Sequence, residues 1–466
     1  MDGTRGVGND YRRIADRIAA DIARGRLRTG QRLPPQRAFA RRHGIAASTA
    51  ERVYGELARR GLVVGEVGRG TFVRATTPDA QPGHALTEAS CAPATVNLEL
   101  NYPCVEGQSE LLAPVLTELL RPDALSEALH LPAPAAGTEA AREAFAGLYP
   151  RGSLSPDGIV FTGNARQAIA ATLASLVRPG GRIGVEPLTY PLVREVAARL
   201  GATLVPLATD ERGPLPVSLA TAHRSAPLSA LYLQPTLHNP TSRTLDAERR
   251  SELAQVIVDL EIPVVEDRVW SFLHEGHEPP FSALLPGLGH VVDSLSKRIA
   301  PGLTVGFAAV PPARAGEVAR AVRSGGWSAG SLALEAAVRW IGDGTADRLA
   351  AAKRVDARHR QLLATQALSG FPLLTDPSSY YTWWPLPTPW RADTFTAAAR
   401  ARGIAVTPGT AFAVSPAHTP DAVRLGLGSV SEGELVRALG VLAEVAAAGP
   451  GVPVTALPAR EVSGCG

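Results

Sequence analysis

Seven short apolar segments recur between residues 158 and 310: Gly158–Thr162, Arg182–Glu186, Thr203–Pro206, Ala230–Gln234, Pro263–Glu266, Val291–Ser294 and Val305–Val310. Each is strand length, and Ala- and Leu-rich helical stretches such as Ala165–Val177 and Leu192–Leu200 separate them. This alternation predicts a mainly parallel sheet with helices on both faces. It cannot account for the whole chain, because 466 residues correspond to about three structural units at ~150 residues each. The body contains no GxGxxG fingerprint, P-loop, GxSxG elbow or internal repeat.

Charge divides the chain into two parts. Residues 1–75 hold sixteen arginines against seven acidic residues, a balance of +9, and the remainder carries −6. A basic head on an acidic body predicts an anionic partner for the head alone. Of 47 basic residues, all but Lys297 and Lys353 are arginine. A lysine kept in such a chain suggests amine chemistry, which a guanidinium cannot replace. Cys91, Cys104 and Cys465 form no CxxC pair, which fits a reducing cytoplasm. No apolar run reaches membrane-spanning length and no secretory signal is expected. His274 and His277 form an HxxH broken by Gly276, so no metal site is expected.

Within the head, Ile14, Ile18 and Ile22 recur every fourth residue, as on one face of a helix. Leu33-Pro34-Pro35 opens a second helix carrying Phe39, and Gly44 ends it. Ser48 or Thr49 can cap a third helix that runs to Arg60 and turns Val53, Tyr54 and Leu57 inward. Leu62–Val64 and Thr71–Val73 read as strands of a hairpin. Three helices and a hairpin make a winged helix-turn-helix of α+β type, in which the third helix enters the DNA major groove. The candidate DNA contacts are Arg37, Arg41, Ser48, Thr49 and Arg52, with Arg69 and Gly70 at the wing. The stretch from Tyr11 to Val73, including "GQRLPPQRAFARRHGIAASTAERVYGELARRGLVVGEVGRGTFV", resembles the GntR-type DNA-binding domain. Residues 76–95 are rich in Ala, Thr and Pro without periodicity and read as a flexible linker. The Gly/Pro-rich tail 451–466 reads as disordered.

The chemistry of the body, residues 96–450, lies at strand ends. "IVFTGNARQAI" runs from strand through Gly163-Asn164-Ala165 into a helix, where backbone N–H groups can cradle a phosphate. "LQPTLHNPTS" ends in Asn239-Pro240, "PVVEDRVW" carries Asp267, and "VVDSLSKR" ends a strand at Ser294 with Lys297 behind it. An amine can form a Schiff base with an aldehyde, a buried carboxylate can hold a pyridine nitrogen protonated, and an amide can donate to a phenolate oxygen.

In this order the motifs resemble those of fold-type I (class I) aminotransferases: an α/β body with a small C-terminal α+β subdomain. Head and body together resemble the MocR subfamily of GntR regulators. The resemblance implies pyridoxal phosphate on Lys297 as an internal aldimine and Asp267 at the ring nitrogen. It puts Asn239 at the ring hydroxyl and Tyr190 against the ring. Gly163, Asn164, Ala165 and Ser294 would hold the phosphate, and Arg424 in "AVRLGLG" would take a ligand carboxylate; its bland alternative is a structural ion pair. A homodimer is implied too, either plain or with each head packed on the other subunit's body.

Two positions depart from the family pattern. Trp270 stands where tyrosine is usual, and Thr304 where an arginine contacts the phosphate. Arg298 is a candidate substitute, unless its side chain points the opposite way. The expected function is operator-DNA binding modulated by an amino compound or by pyridoxal phosphate itself. The alternatives are an active aminotransferase carrying a DNA-binding head, and a cofactor-free dimeric regulator. Because of Trp270 and Thr304, aldimine formation is expected ahead of full transamination.

Overall fold

The computed structural model describes residues 10–23, 26–27, 31–59, 62–66, 70–73, 96–130, 134–275, 278–325, 328–415 and 419–450. The linker 76–95, Arg60, Arg69, His277 and the tail 451–466 lie outside the described residues.

The head contains α1 (Asp10–Ala23), α2 (Gln36–His43) and α3 (Ala47–Arg59), followed by an antiparallel hairpin of β1 (Val63–Glu66) and β2 (Gly70–Val73). Ile18, Ile22, Phe39, Val53, Tyr54 and Leu57 are buried together. Gly44, at φ +62°, closes α2 by donating to the carbonyls of Ala40 and Arg41, a left-handed cap that suits glycine. Tyr54 donates its hydroxyl to Pro34 O at 2.5 Å, tying α3 to the entry of α2. Two boundaries differ from expectation. α3 begins at Ala47, so Ser48 and Thr49 sit in its first turn rather than at the cap, and β1 continues to Glu66 because that residue pairs with Gly70.

In the body, all seven expected strands are present with ends within two residues: β3 (Ile159–Thr162), β4 (Arg182–Val185), β5 (Thr203–Pro206), β6 (Ala230–Leu233), β7 (Val264–Asp267), β8 (Gly289–Ser294) and β9 (Gly306–Ala309). They form one sheet in the order β3-β9-β8-β7-β6-β4-β5, with β9 antiparallel to both neighbours. Burial on both faces explains why the strands read as continuous apolar runs. One face packs on α4 (Ala165–Leu176) and the helix Pro312–Gly325. The other presents Phe161 and Phe307 to Phe145 and Trp340, with Phe145 edge-on to Phe161 and Phe307 at 4.9 and 5.2 Å. A single helical turn, α5 (Leu295–Arg298), follows β8.

The 23-residue helix α6 (Thr345–Ala367) leads to the small subdomain. Its three strands, β10 (Tyr381–Pro385), β11 (Thr407–Pro408) and β12 (Ala422–Gly426), run in the order β10-β12-β11. The helix Glu432–Ala448 covers them, its start closed by a Ser431–Glu434 capping box. The first described residues of the body join this subdomain: Val96–Asn97 pairs with Ile404–Ala405, and Gly426 N–H donates to Leu98 O at 2.7 Å.

β9 enters close to the start of α4. A Cβ on Gly306 would lie 2.1 Å from the carbonyl carbon of Asn164, and backbone cannot give way there as a flexible side chain can. Gly306→Ala is expected to destabilise the chain by about 3 kcal/mol or more. Gly440 has nothing within 4 Å of such a Cβ, so Gly440→Ala in the last helix is expected to stabilise by about 0.5–1 kcal/mol. Urea unfolding of the two variants beside the parent checks both signs.

Candidate functional site

The strand ends at one edge of the sheet bring most of the expected residues together. Asp267 closes β7, and Ser294 closes β8 beside it. Asp267 Oδ2 accepts from the Tyr232 hydroxyl at 2.5 Å and from Gln234 Nε2 at 3.0 Å, and Oδ1 accepts from Val269 N–H at 3.0 Å. Burial outweighs these donors and raises its pKa to about 6. Gln234 Oε1 in turn accepts from Asn239 N–H at 3.2 Å, and Asn239 Oδ1 accepts from Arg424 Nη1 at 3.4 Å. Asp267, Gln234, Asn239 and Arg424 are thus one hydrogen-bonded chain.

Lys297 projects from α5 into this group. Its Nζ donates to Asn101 O at 2.6 Å, lies 3.4 Å from the centre of the Tyr102 ring and 5.3 Å from that of Trp270. Burial, then the positive charges of Arg424, Arg166 and Lys353, hold its pKa well below the ordinary lysine range. An amine that gives up its proton more readily is a better nucleophile. Arg424 is buried in the centre of β12, opposite Trp383 and Thr407. It donates to Glu99 O and to Thr407 Oγ1, the latter at 3.2 Å, and its Nε has no hydrogen-bond partner. Burial lowers its pKa to about 10, with the groups around it acting the other way. No acidic side chain bonds it among the described residues, which disfavours the ion-pair alternative.

At the other end of the site, Asn164 caps α4 by accepting from Gln167 N–H at 3.1 Å. The first N–H groups of a helix have no partner within it. Gly306 approaches from β9. Gly163, Asn164 and Ala165 lead into the helix start, a backbone cradle whose N–H groups can meet an anion. Tyr190 is half-buried and hydrogen-bonded to Arg166. Ser294 donates to Ser296 at 3.3 Å, and Ser296 bonds Thr304. Hydroxyls occupy this corner where the resemblance puts an arginine.

Arg298 is not part of the cradle. Its guanidinium is buried 3.6 Å from Asp293 and 5.3 Å from the Phe272 ring. Asp293 also accepts from Tyr149 at 2.7 Å. The pairing with buried Asp293 holds the Arg298 guanidinium away from the cradle. The sequence reading missed Tyr232 and Gln234, although their alternation along "LYLQP" puts both on one side of the strand. It missed Arg166, which lay inside the quoted cradle motif. It also missed Glu99, Asn101 and Tyr102, whose partners are about two to three hundred residues away. In the head, Arg37, Arg41, Ser48 and Arg52 are exposed and Thr49 is half-buried. Arg52 lies 5.4 Å over the Tyr11 ring.

The chain matches the family model "Aminotransferase class I and II" over residues 93–442, and the model "Bacterial regulatory proteins, gntR family" over residues 10–73. The chain belongs to the class I and II aminotransferase family and carries a GntR-type head, the architecture of MocR regulators. The HTH-type transcriptional regulator YdeF of Bacillus subtilis is 28% identical over 90% of both chains. The HTH-type pyridoxine biosynthesis transcriptional regulator PdxR of Corynebacterium glutamicum is 26% identical over 77% of this chain and 79% of its own. The fold resembles an archaeal alanine:glyoxylate aminotransferase, with a TM-score of 0.70 and 21% identity over 76% of this chain and 90% of that one. The family implies pyridoxal phosphate as cofactor, and the cradle, the amine and the buried carboxylate fit it. Among the described residues, no helix is long and apolar enough to cross a membrane and no group of His, Cys, Asp and Glu could hold a metal ion.

Beneath the site, Glu186 Oε2 lies 3.4 Å from Gln234 N and from His238 Nε2. Burial raises the Glu186 pKa to about 8 and lowers that of His238 to about 3, so both are neutral at pH 7. A carboxyl whose folded pKa exceeds its unfolded value destabilises the fold increasingly as pH rises from about 4.5 through 8. Glu186→Gln is expected to match the parent near pH 4.5 and to exceed its stability by a few kcal/mol, on the order of 4, at pH 9. Urea unfolding of the cofactor-free protein across that range checks the sign.

Proposed function

We propose that the protein is a homodimeric, DNA-binding transcription regulator in which a carboxylate-bearing amino compound, or pyridoxal phosphate itself, alters operator binding through Lys297. The observation that carries this reading is that one backbone segment, Glu99–Tyr102, bonds both ends of the site. Glu99 O accepts from Arg424, Asn101 O accepts from Lys297, and Tyr102 lies over the lysine amine. In sequence this segment begins four residues after the linker that joins head and body.

Bound pyridoxal phosphate supplies an aldehyde for an amine and a ring able to withdraw electrons. The chain's own residues do the rest. Lys297 offers an amine that burial and nearby cations make easier to deprotonate, and Asp267, fixed by Tyr232 and Gln234, offers a carboxylate for a ring nitrogen. The α4 start offers N–H donors to phosphate, with the Arg166 guanidinium beside it. Arg424 offers a buried guanidinium with an unused Nε–H to a ligand carboxylate. A carboxylate there competes with Glu99 O, and any change at Lys297 Nζ disturbs its bond to Asn101 O. Both changes act on the residues next to the linker, which gives the ligand a differential interaction with two arrangements of the chain. The name of the Corynebacterium relative, a pyridoxine biosynthesis regulator, favours the cofactor itself as one effector. The assembled Asp267, Asn239, Lys297 and Arg424 also favour a second reading, transaminase turnover, which product formation from an amino acid and a keto acid would reveal.

Full-length protein mixed with pyridoxal phosphate is expected to develop a visible absorption band that Lys297→Ala lacks. No band in either protein would leave a DNA-binding dimer on a cofactor-free scaffold. Arg424→Met is expected to keep the band but to lose about 10- to 100-fold in response to carboxylate-bearing amines, read as the amine concentration that changes the band. In operator titrations, Arg37→Ala and Arg52→Ala are each expected to cost about 1–3 kcal/mol where they read bases, or to lower the salt slope by about one where they bind phosphate.

A further inference from the structure

The second of the two lysines has a task of its own beside the site. Lys353 lies in α6 and is fully buried. Its Nζ donates to Lys297 O at 2.9 Å and to Ile299 O at 2.7 Å. Those carbonyls end α5, a helix of one turn whose last carbonyls have no acceptor role within the helix itself. Two carbonyls two residues apart converge on a single atom. An ammonium carries its donors on one compact centre, whereas a guanidinium spreads them over a plane. This explains why lysine persists here in a chain that otherwise uses arginine.

The stretch of α6 that carries Lys353 is itself held in place. The Tyr380 hydroxyl shares its one proton between Lys353 O at 2.9 Å and Asp356 Oδ2 at 2.7 Å, and Arg354, next in sequence, donates to Phe272 O at 2.8 Å. We propose that Lys353 is a positioning residue for Lys297: it pins the backbone turn that aims the reactive amine. This rests on the reading of Lys297 as the residue that takes pyridoxal phosphate. Lys297 is faced by the cations Arg424, Arg166 and Lys353 and by the Tyr102 and Trp270 rings. Lys353 is faced by Cys104 and Asp356.

Two lysines make a direct test possible. Full-length protein labelled with 13Cε-lysine gives two side-chain resonances, assigned with Lys297→Ala. On adding pyridoxal phosphate, both resonances of the parent are expected to shift, that of Lys297 because it reacts and that of Lys353 because its acceptor carbonyl belongs to Lys297. A Lys297 resonance that does not move would sink the cofactor reading itself. A moving Lys297 resonance beside a stationary Lys353 resonance would overturn this inference alone. Lys353→Met is expected to weaken pyridoxal phosphate binding about tenfold and to raise the pH midpoint of the visible band, because a like charge has been removed. Parent-like affinity and midpoint in a folded Lys353→Met protein would also overturn it. If that variant fails to fold, the two resonances of the parent still decide.

Discussion

An amine attacks an aldehyde only without its proton, and the surroundings of Lys297 favour the loss of that proton. Three cations stand near it, and its bonded partner is a backbone carbonyl rather than a carboxylate. The carboxylate of Asp267 is occupied by a phenol, an amide and a backbone N–H. That separation matters: a carboxylate on Lys297 would restore its proton and end its nucleophilicity. The same burial that disfavours charge on the lysine leaves Asp267 near its midpoint at about pH 6. A positively charged ring nitrogen beside Asp267 would favour its ionised form.

The large sheet was legible because its strands are buried on both faces. Runs such as Ala230–Leu233 and Ile159–Phe161 are then almost wholly apolar, and polar residues fall near the strand ends. The four motifs at those ends were legible for the same reason, since a polar residue closing an apolar run stands out. Adjacency to Lys297 left the direction of Arg298 open, because neighbours in sequence do not share a direction; its guanidinium lies 3.6 Å from the buried Asp293. The Glu99–Tyr102 segment was illegible because its importance lies in contacts with Lys297 and Arg424 that no local pattern encodes. In the head, the Ser48/Thr49 cap was misjudged by one or two residues because neither residue is needed where the backbone of Ala46 already receives Thr49 and Ala50 N–H.

Helix α6 explains how the two parts of the body form one mechanical unit. Near its middle, Lys353 and Arg354 bond carbonyls of the large subdomain, at Lys297, Ile299 and Phe272. Two turns on, Arg360 bonds the carbonyls of Leu427 and Val430, and Gln361 those of Ser379 and Tyr381, all in the small subdomain. These are charged or amide donors on buried carbonyls, so breaking any of them leaves a polar group without its partner. Small displacements at Lys297 therefore cannot be absorbed locally by soft contacts. The carbonyls bonded by α6 tie the turn that carries Lys297 to the strands that flank Arg424, and Lys297 and Arg424 are joined a second time through the Glu99–Asn101 backbone.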